Sequence, residues 1–89
     1  MHSRTVTVAS KVGLHARPAT LIANAASAYD DEILIELAGD DAEDAADAAS
    51  MLMIMALGAE KGATVTVSGE DAAAVAEIAA LIEQDLDAE

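Results

Sequence analysis

In Gly13-Leu14-His15-Ala16-Arg17-Pro18-Ala19 a histidine and an arginine stand two residues apart, with a glycine before them and a proline after. Pro18 is tolerated in the first turn of a helix, where its missing N–H has no intrahelical partner to lose, and Gly13 allows the chain to turn sharply. The expected place is therefore a strand-to-helix junction with His15 at the helix N-terminus. There the first-turn N–H groups and the positive end of the helix dipole favour an anion, and Arg17 can add a forked, charge-assisted grip. A cation and a helix N-terminus beside an imidazole favour its neutral, nucleophilic form, so one arrangement serves both the attack on a phosphoryl group and its retention. The plainer alternative is a histidine that only caps the turn beside a solvated arginine.

The elements that must position these residues follow from periodicity. Residues 3–9 alternate, with Val6 and Val8 on one face and Thr5 and Thr7 on the other, which predicts a half-buried strand preceded by an exposed His2. Residues 16–28 predict a helix with Leu21, Ile22 and Ala25 toward the core and Asn24 and Ser27 near its edge, followed by Tyr29, the single aromatic residue, in a packing role. A second strand is expected over 32–37, with Ile33, Ile35 and Leu37 on one face, then a turn at Ala38-Gly39-Asp40-Asp41. Residues 41–49 are alanine and acid without a β-branched side chain, so they read as a loop or solvated face, with no metal site. Residues 50–57 predict a short apolar helix with Ser50 as N-cap and Gly58 as its stop. Residues 63–68 repeat the first strand's pattern through Val65 and Val67, so the two are expected to pair centrally. The last helix should carry Glu70 and Asp71 in its first turn and Val75, Ile78 and Ile82 on its apolar face, with a frayed end over 85–89.

Charge narrows the function. The chain has 89 residues, no cysteine and a formal charge of −13. Residues 1–29 contain Arg4, Lys11 and Arg17 without an acid, a local +3, whereas residues 30–89 contain Lys61 and all 17 acids, a local −16. Binding nucleic acid needs a basic face, which this balance argues against. Lys11 and Arg17 flank His15, as expected where an anionic ligand or intermediate must be held. No signal-like or membrane-spanning run is read, so a single domain over 1–89 without membrane insertion is expected, in a reducing cytoplasm. The excess of Asp and Ala over Lys and aromatics is similar to that of halophilic cytoplasmic proteins.

The motif around His15 resembles the active-site signature of the phosphocarrier protein HPr of the phosphoenolpyruvate-dependent sugar phosphotransferase system. Ser50-Met51-Leu52-Met53-Ile54-Met55-Ala56-Leu57-Gly58, followed by Lys61-Gly62 and a strand-like run, resembles the family's serine-bearing short helix and its sequel. The matches together span nearly the whole chain. The resemblance implies an α+β fold, an open-faced β-sandwich in which an antiparallel four-stranded sheet carries three helices on one face. It implies a monomeric phosphocarrier, not an enzyme, whose His15 takes a phosphoryl group on Nδ1 from phosphorylated Enzyme I and passes it to the A component of a sugar permease. No cofactor is implied. Arg17 and the N–H groups of Ala16 and Arg17 would bind the phosphoryl oxygens, although Pro18 biases Arg17 away from helical geometry. Leu14, Thr20, Leu21, Met51, Leu52 and Met55 would form the docking surface. Ser50 aligns with a serine that a regulatory kinase modifies in some relatives, but alanine precedes it here where those often have a basic residue, which favours the capping role. Two other classes stay open: a regulatory module of the same fold that does not pass phosphate onward, and an unrelated acid–base enzyme using His15.

Overall fold

In the computed structural model, which describes residues 1–39 and 44–84, the chain runs β1 (His2–Thr7), α1 (Ala16–Ala26), β2 (Ile33–Leu37), β3 (Ala46–Asp47), α2 (Met51–Ala56), β4 (Thr64–Gly69) and α3 (Ala72–Glu83). The strands form one antiparallel sheet in the order β1-β4-β2-β3. Period-two alternation decides which face is buried: Val6, Val65, Val67, Ile33 and Ile35 turn toward the helices and form the core with Ile22, Ile54, Ile78 and Ile82. On the open face the Thr5 and Thr66 hydroxyls hydrogen-bond across the β1–β4 ladder at 3.0 Å. The expected open-faced α+β sandwich is the architecture observed.

Several details differ from expectation. β1 and β4 do pair, but β1 lies at the sheet edge, because β4 takes β2 on its other side with Glu36 opposite Thr66. His2 falls inside β1 opposite Gly69 and is exposed. A third strand exists, only two residues long, formed by Ala46 and Asp47 pairing with Ile35 and Leu34. Its own sequence favours no strand; the paired neighbour supplies the order. Asp71 stands outside α3 as its N-cap, with Oδ1 accepting from the N–H groups of Ala73 and Ala74 at 2.9 and 3.2 Å. The expected turn residues Asp40 and Asp41 and the expected frayed end over 85–89 lie outside the described residues.

α1 is shorter than expected and rotated. Pro18, Ala19, Ile22, Ala23 and Ala26 form its buried stripe, while Leu21 is 40% exposed. At 100° per residue, positions 19, 22, 23 and 26 share a face from which 21 is excluded, and the small alanines let the helix approach its neighbours closely. Ser27 ends the helix, its hydroxyl donating to the Ala23 carbonyl at 2.7 Å. Tyr29 then folds back half-buried against the core, and its hydroxyl donates to Glu77 on α3, tying the end of one helix to the middle of another.

The hydrogen bond to the Glu77 carboxylate, with smaller contributions from desolvation and from the negative charges of Glu77 and Asp71, raises the Tyr29 pKa above its ordinary value of 10.0. A raised folded-state pKa means that this tie stabilises the fold fully below the unfolded tyrosine's pKa and is lost as pH climbs through the folded value. Tyr29 is the single tyrosine and the chain has no tryptophan, so its ionisation can be followed by tyrosinate absorbance. Glu77→Gln should move that midpoint down toward 10.0; an unmoved midpoint would remove Glu77 as the cause.

Candidate functional site

Two loops meet beneath the start of α1. The Val8 N–H donates to the Ala63 carbonyl, the Gly62 N–H donates to the Val8 carbonyl, and the Leu14 N–H donates to the Ala59 carbonyl, each at 2.9 Å. These bonds lay residues 8–14 along residues 59–63. Gly13 stands at the tightest point, with φ +70 and its N–H donating to the Ser10 carbonyl at 2.9 Å. A Cβ there would lie 2.3 Å from the Ala59 carbonyl oxygen and 2.8 Å from Glu60 Cα, so glycine is required both by the left-handed backbone and by the space. The end of α3 supports the same loop: the Ala9 N–H donates to the Ile82 carbonyl at 3.2 Å, and the buried Ser10 hydroxyl donates to the Gln84 carbonyl at 3.5 Å.

His15 emerges from this support as the N-cap of α1, in extended conformation, with its carbonyl accepting from the Ala19 N–H at 2.8 Å. Its side chain makes no capping hydrogen bond, and the residue is exposed. The ring is thus not spent on capping the turn. Helix geometry holds the first N–H groups outside the intrahelical ladder; Pro18 has none and Ala19 donates to His15, which leaves Ala16 and Arg17 to contribute the main-chain donors of that turn. Pro18 does not displace Arg17 from the helix as its general bias suggested: α1 already includes Ala16 and Arg17, and buried Pro18 completes the first turn. No acid occurs in that turn, and the Arg17 side chain is exposed there.

His15 also opens onto a depression of about 480 Å³ that it lines with Lys11, Val12, Glu60 and Lys61. Lys11 was expected near the histidine from its place in the motif's approach. Lys61 and Glu60 were not, since the pairing of the two loops, and not sequence proximity, brings them there. The available signal was that Lys61 is the single Lys or Arg after residue 29.

The expected docking residues divide. On α1 Thr20 and Leu21 are exposed, and the Thr20 hydroxyl lies 2.7 Å from the Ala16 carbonyl and 2.9 Å from Met51 Sδ, linking α1 to α2. On α2 Met51 and Leu52 are exposed, Leu52 by 75%, and Met55 is half-buried against the core. Met53, not singled out from sequence, is exposed as well. Leu14 is a correction: at 2% exposure it belongs to the core, anchoring the loop that carries His15, and offers no surface to a partner. Ser50 caps α2, its Oγ accepting from the Met53 N–H at 3.3 Å. Among the described residues no helix is long and apolar enough to cross a membrane.

Comparison with known proteins adds an independent line. A family profile described as the PTS HPr component phosphorylation site matches residues 2–84. The chain is 42% identical over 87 residues to the phosphocarrier protein NPr of Shewanella violacea, a match that covers 94% of this chain and 91% of that one. Its fold is similar to the crystal structure of HPr from Thermoanaerobacter tengcongensis, with a TM-score of 0.83 and 32% identity over 100% of this chain and 99% of the other. It is also similar to that of HPr from Bacillus anthracis, with a TM-score of 0.79 and 31% identity over 91% and 95% of the two chains.

The contact at Gly13 can be isolated from its backbone angle. Gly58 has nearly the same φ, +68, but nothing within 4 Å of a built Cβ. Gly58→Ala should cost about 1–2 kcal/mol for the left-handed conformation alone. Gly13→Ala should cost about 2–5 kcal/mol, adding steric displacement of the Ala59 carbonyl. Urea denaturation of both variants checks this, and equal losses would show that the close approach is not a constraint.

Proposed function

The chain belongs to the HPr family of phosphocarrier proteins, components of the phosphotransferase system, and from that premise we propose that His15 is the residue that carries the phosphoryl group, accepting it from phosphorylated Enzyme I and delivering it to the A component of a sugar permease. The observation that carries this reading is the state of His15: an exposed N-cap whose ring makes no capping bond, beside Arg17 and the donors of a helix start. In the forward step His15 Nδ1 attacks the donor's phosphorus in line. The new N–P bond forms as the bond from phosphorus to the donor breaks, and that bond's electron pair leaves with the donor. The same displacement, with His15 as the leaving group, delivers the phosphoryl group to the acceptor.

Such a transfer asks for positioning and for stabilisation of charge on the phosphoryl oxygens. Arg17 and the N–H groups of Ala16 and Arg17 supply the charge stabilisation, and the helix start supplies donors that are already oriented before reaction. Positioning falls to the partner-facing surface. Leu21, Met51, Leu52 and Met53 present exposed apolar side chains on α1 and α2, which Thr20 and Met51 join, and flexible methionine suits a surface that must receive two partners in turn. Docking there brings the partner's reacting atom to His15 and excludes water from it.

Two outcomes are expected. Labelled phosphoryl passed from phosphorylated Enzyme I through this chain to a permease A component, followed by rapid quench, should move about 10²-fold more slowly with Arg17→Ala. Passage at the native rate would deny Arg17 its role, and no passage to a competent acceptor would deny the relay. Leu52→Asp should raise KM for Enzyme I about tenfold with little change in kcat or thermal stability, because Leu52 is 75% exposed. An unchanged KM would take α2 out of the docking surface.

A further inference from the structure

Four side chains of this protein are Lys or Arg, and three of them surround the same histidine. Arg17 stands in the first turn of α1, two residues beyond His15. Lys11 and Lys61 line the depression onto which His15 opens, and they come from different loops. Lys11 belongs to the segment that leads into α1, and Lys61 to the one that leads into β4. The backbone bonds between residues 8–14 and 59–63 hold the two segments side by side. In a chain of formal charge −13 this gathering of cations from separate parts of the sequence calls for an anion as its object.

Resting on the carrier reading of His15, we propose that Lys11 and Lys61 form a second seat for the phosphoryl group carried on His15, on the depression side of the ring, with Glu60 setting its strength. Arg17 and the helix start grip the group from α1; the two ammonium groups reach it from the loops. A phosphoryl group on histidine is close to a dianion at neutral pH and offers three acceptor oxygens, more than one guanidinium and one helix start need satisfy. Lysine suits this position because a point charge on a flexible stem can follow the group as it enters and leaves. Lys11 and Lys61 line the same depression as His15. Interactions between exposed charges fade beyond about 8 Å at physiological ionic strength, so cations in the wall of this depression act on the phosphoryl group more strongly than charges farther away. Among the described residues, Glu60 is a carboxylate in the wall of the depression itself. It weakens the seat and keeps the phosphoryl group transferable.

The seat can be tested without Enzyme I, by phosphorylating His15 with phosphoramidate in a His2→Gln background, since His2 is exposed as well, and following the phosphoryl resonance by ³¹P NMR as pH is varied. Nearby cations favour the dianion, so the double variant Lys11→Gln/Lys61→Gln should raise the phosphoryl titration midpoint by about 0.5–1 pH unit, a three- to tenfold change in its proton affinity. Glu60→Gln should lower the midpoint. Arg4→Gln removes one positive charge, as each lysine substitution does, from β1, outside the depression, and should leave the midpoint in place. All of these side chains are exposed, so the fold is not at stake. A midpoint unmoved in the double variant, or moved as far by Arg4→Gln, overturns the lysine seat while leaving His15 as carrier. Failure of His15 to take a phosphoryl group at all overturns both.

Discussion

The close approach of Gly13 to Ala59 is the contact on which the arrangement of this protein depends. The Leu14 N–H donates to the Ala59 carbonyl at 2.9 Å, and that same oxygen sits where a Cβ on residue 13 would have to go. One backbone contact thereby fixes two things. It sets the angle at which the chain enters α1, and so the exposure of His15. It also brings residues 59–63 alongside, and with them Lys61 and Glu60. Buried Leu14 locks the loop from below, and the carbonyls of Ile82 and Gln84 at the end of α3 hold it from the side. Without this contact a histidine could still head a helix, but the loop cations would have no reason to be near it.

Charge and apolar surface are divided between neighbouring regions. Cations gather around His15, while exposed methionine and leucine occupy α2 and the adjoining turn of α1, joined through Thr20 and Met51. The division suits a carrier. On the proposed reading, apolar contact supplies affinity without competing for the phosphoryl group, and the charged groups act on the group itself. The high negative charge elsewhere keeps the chain soluble and unselective contacts weak, at the expense of self-repulsion that salt screens.

Much of this was legible from the residues. Val6, Val65 and Val67 announce their strands by strict alternation, although β1 ends at Thr7 and leaves Val8 buried in the loop beyond it, and Val75, Ile78 and Ile82 announce the buried face of α3. The motif at Gly13 to Ala19 marks the site because each residue type has a local job that geometry confirms: a left-handed glycine, a histidine at the N-cap, a proline in the first turn. Less legible was whatever tertiary contact decides. Ala46 and Asp47 become a strand only because β2 offers an unpaired edge. Helical periodicity put Leu21 toward the core and the resemblance put it on the docking surface; close packing gives the core to Ala19, Ala23 and Ala26 and leaves Leu21 exposed. Leu14 was expected on the docking surface from the resemblance, yet its side chain belongs to the core while its N–H bonds to Ala59. Lys61 lies far from His15 along the chain and adjoins it only through the pairing of two loops.

The central claim is that His15 itself bears the phosphoryl group. Intact mass of the protein after incubation with phosphoenolpyruvate, Mg²⁺ and a cognate Enzyme I, beside a His15→Ala control, tests it most directly. The account requires one acid-labile phosphoryl group on the native protein and none on the control. It is contradicted if the control gains the group equally, or if neither protein gains it while Enzyme I is itself phosphorylated.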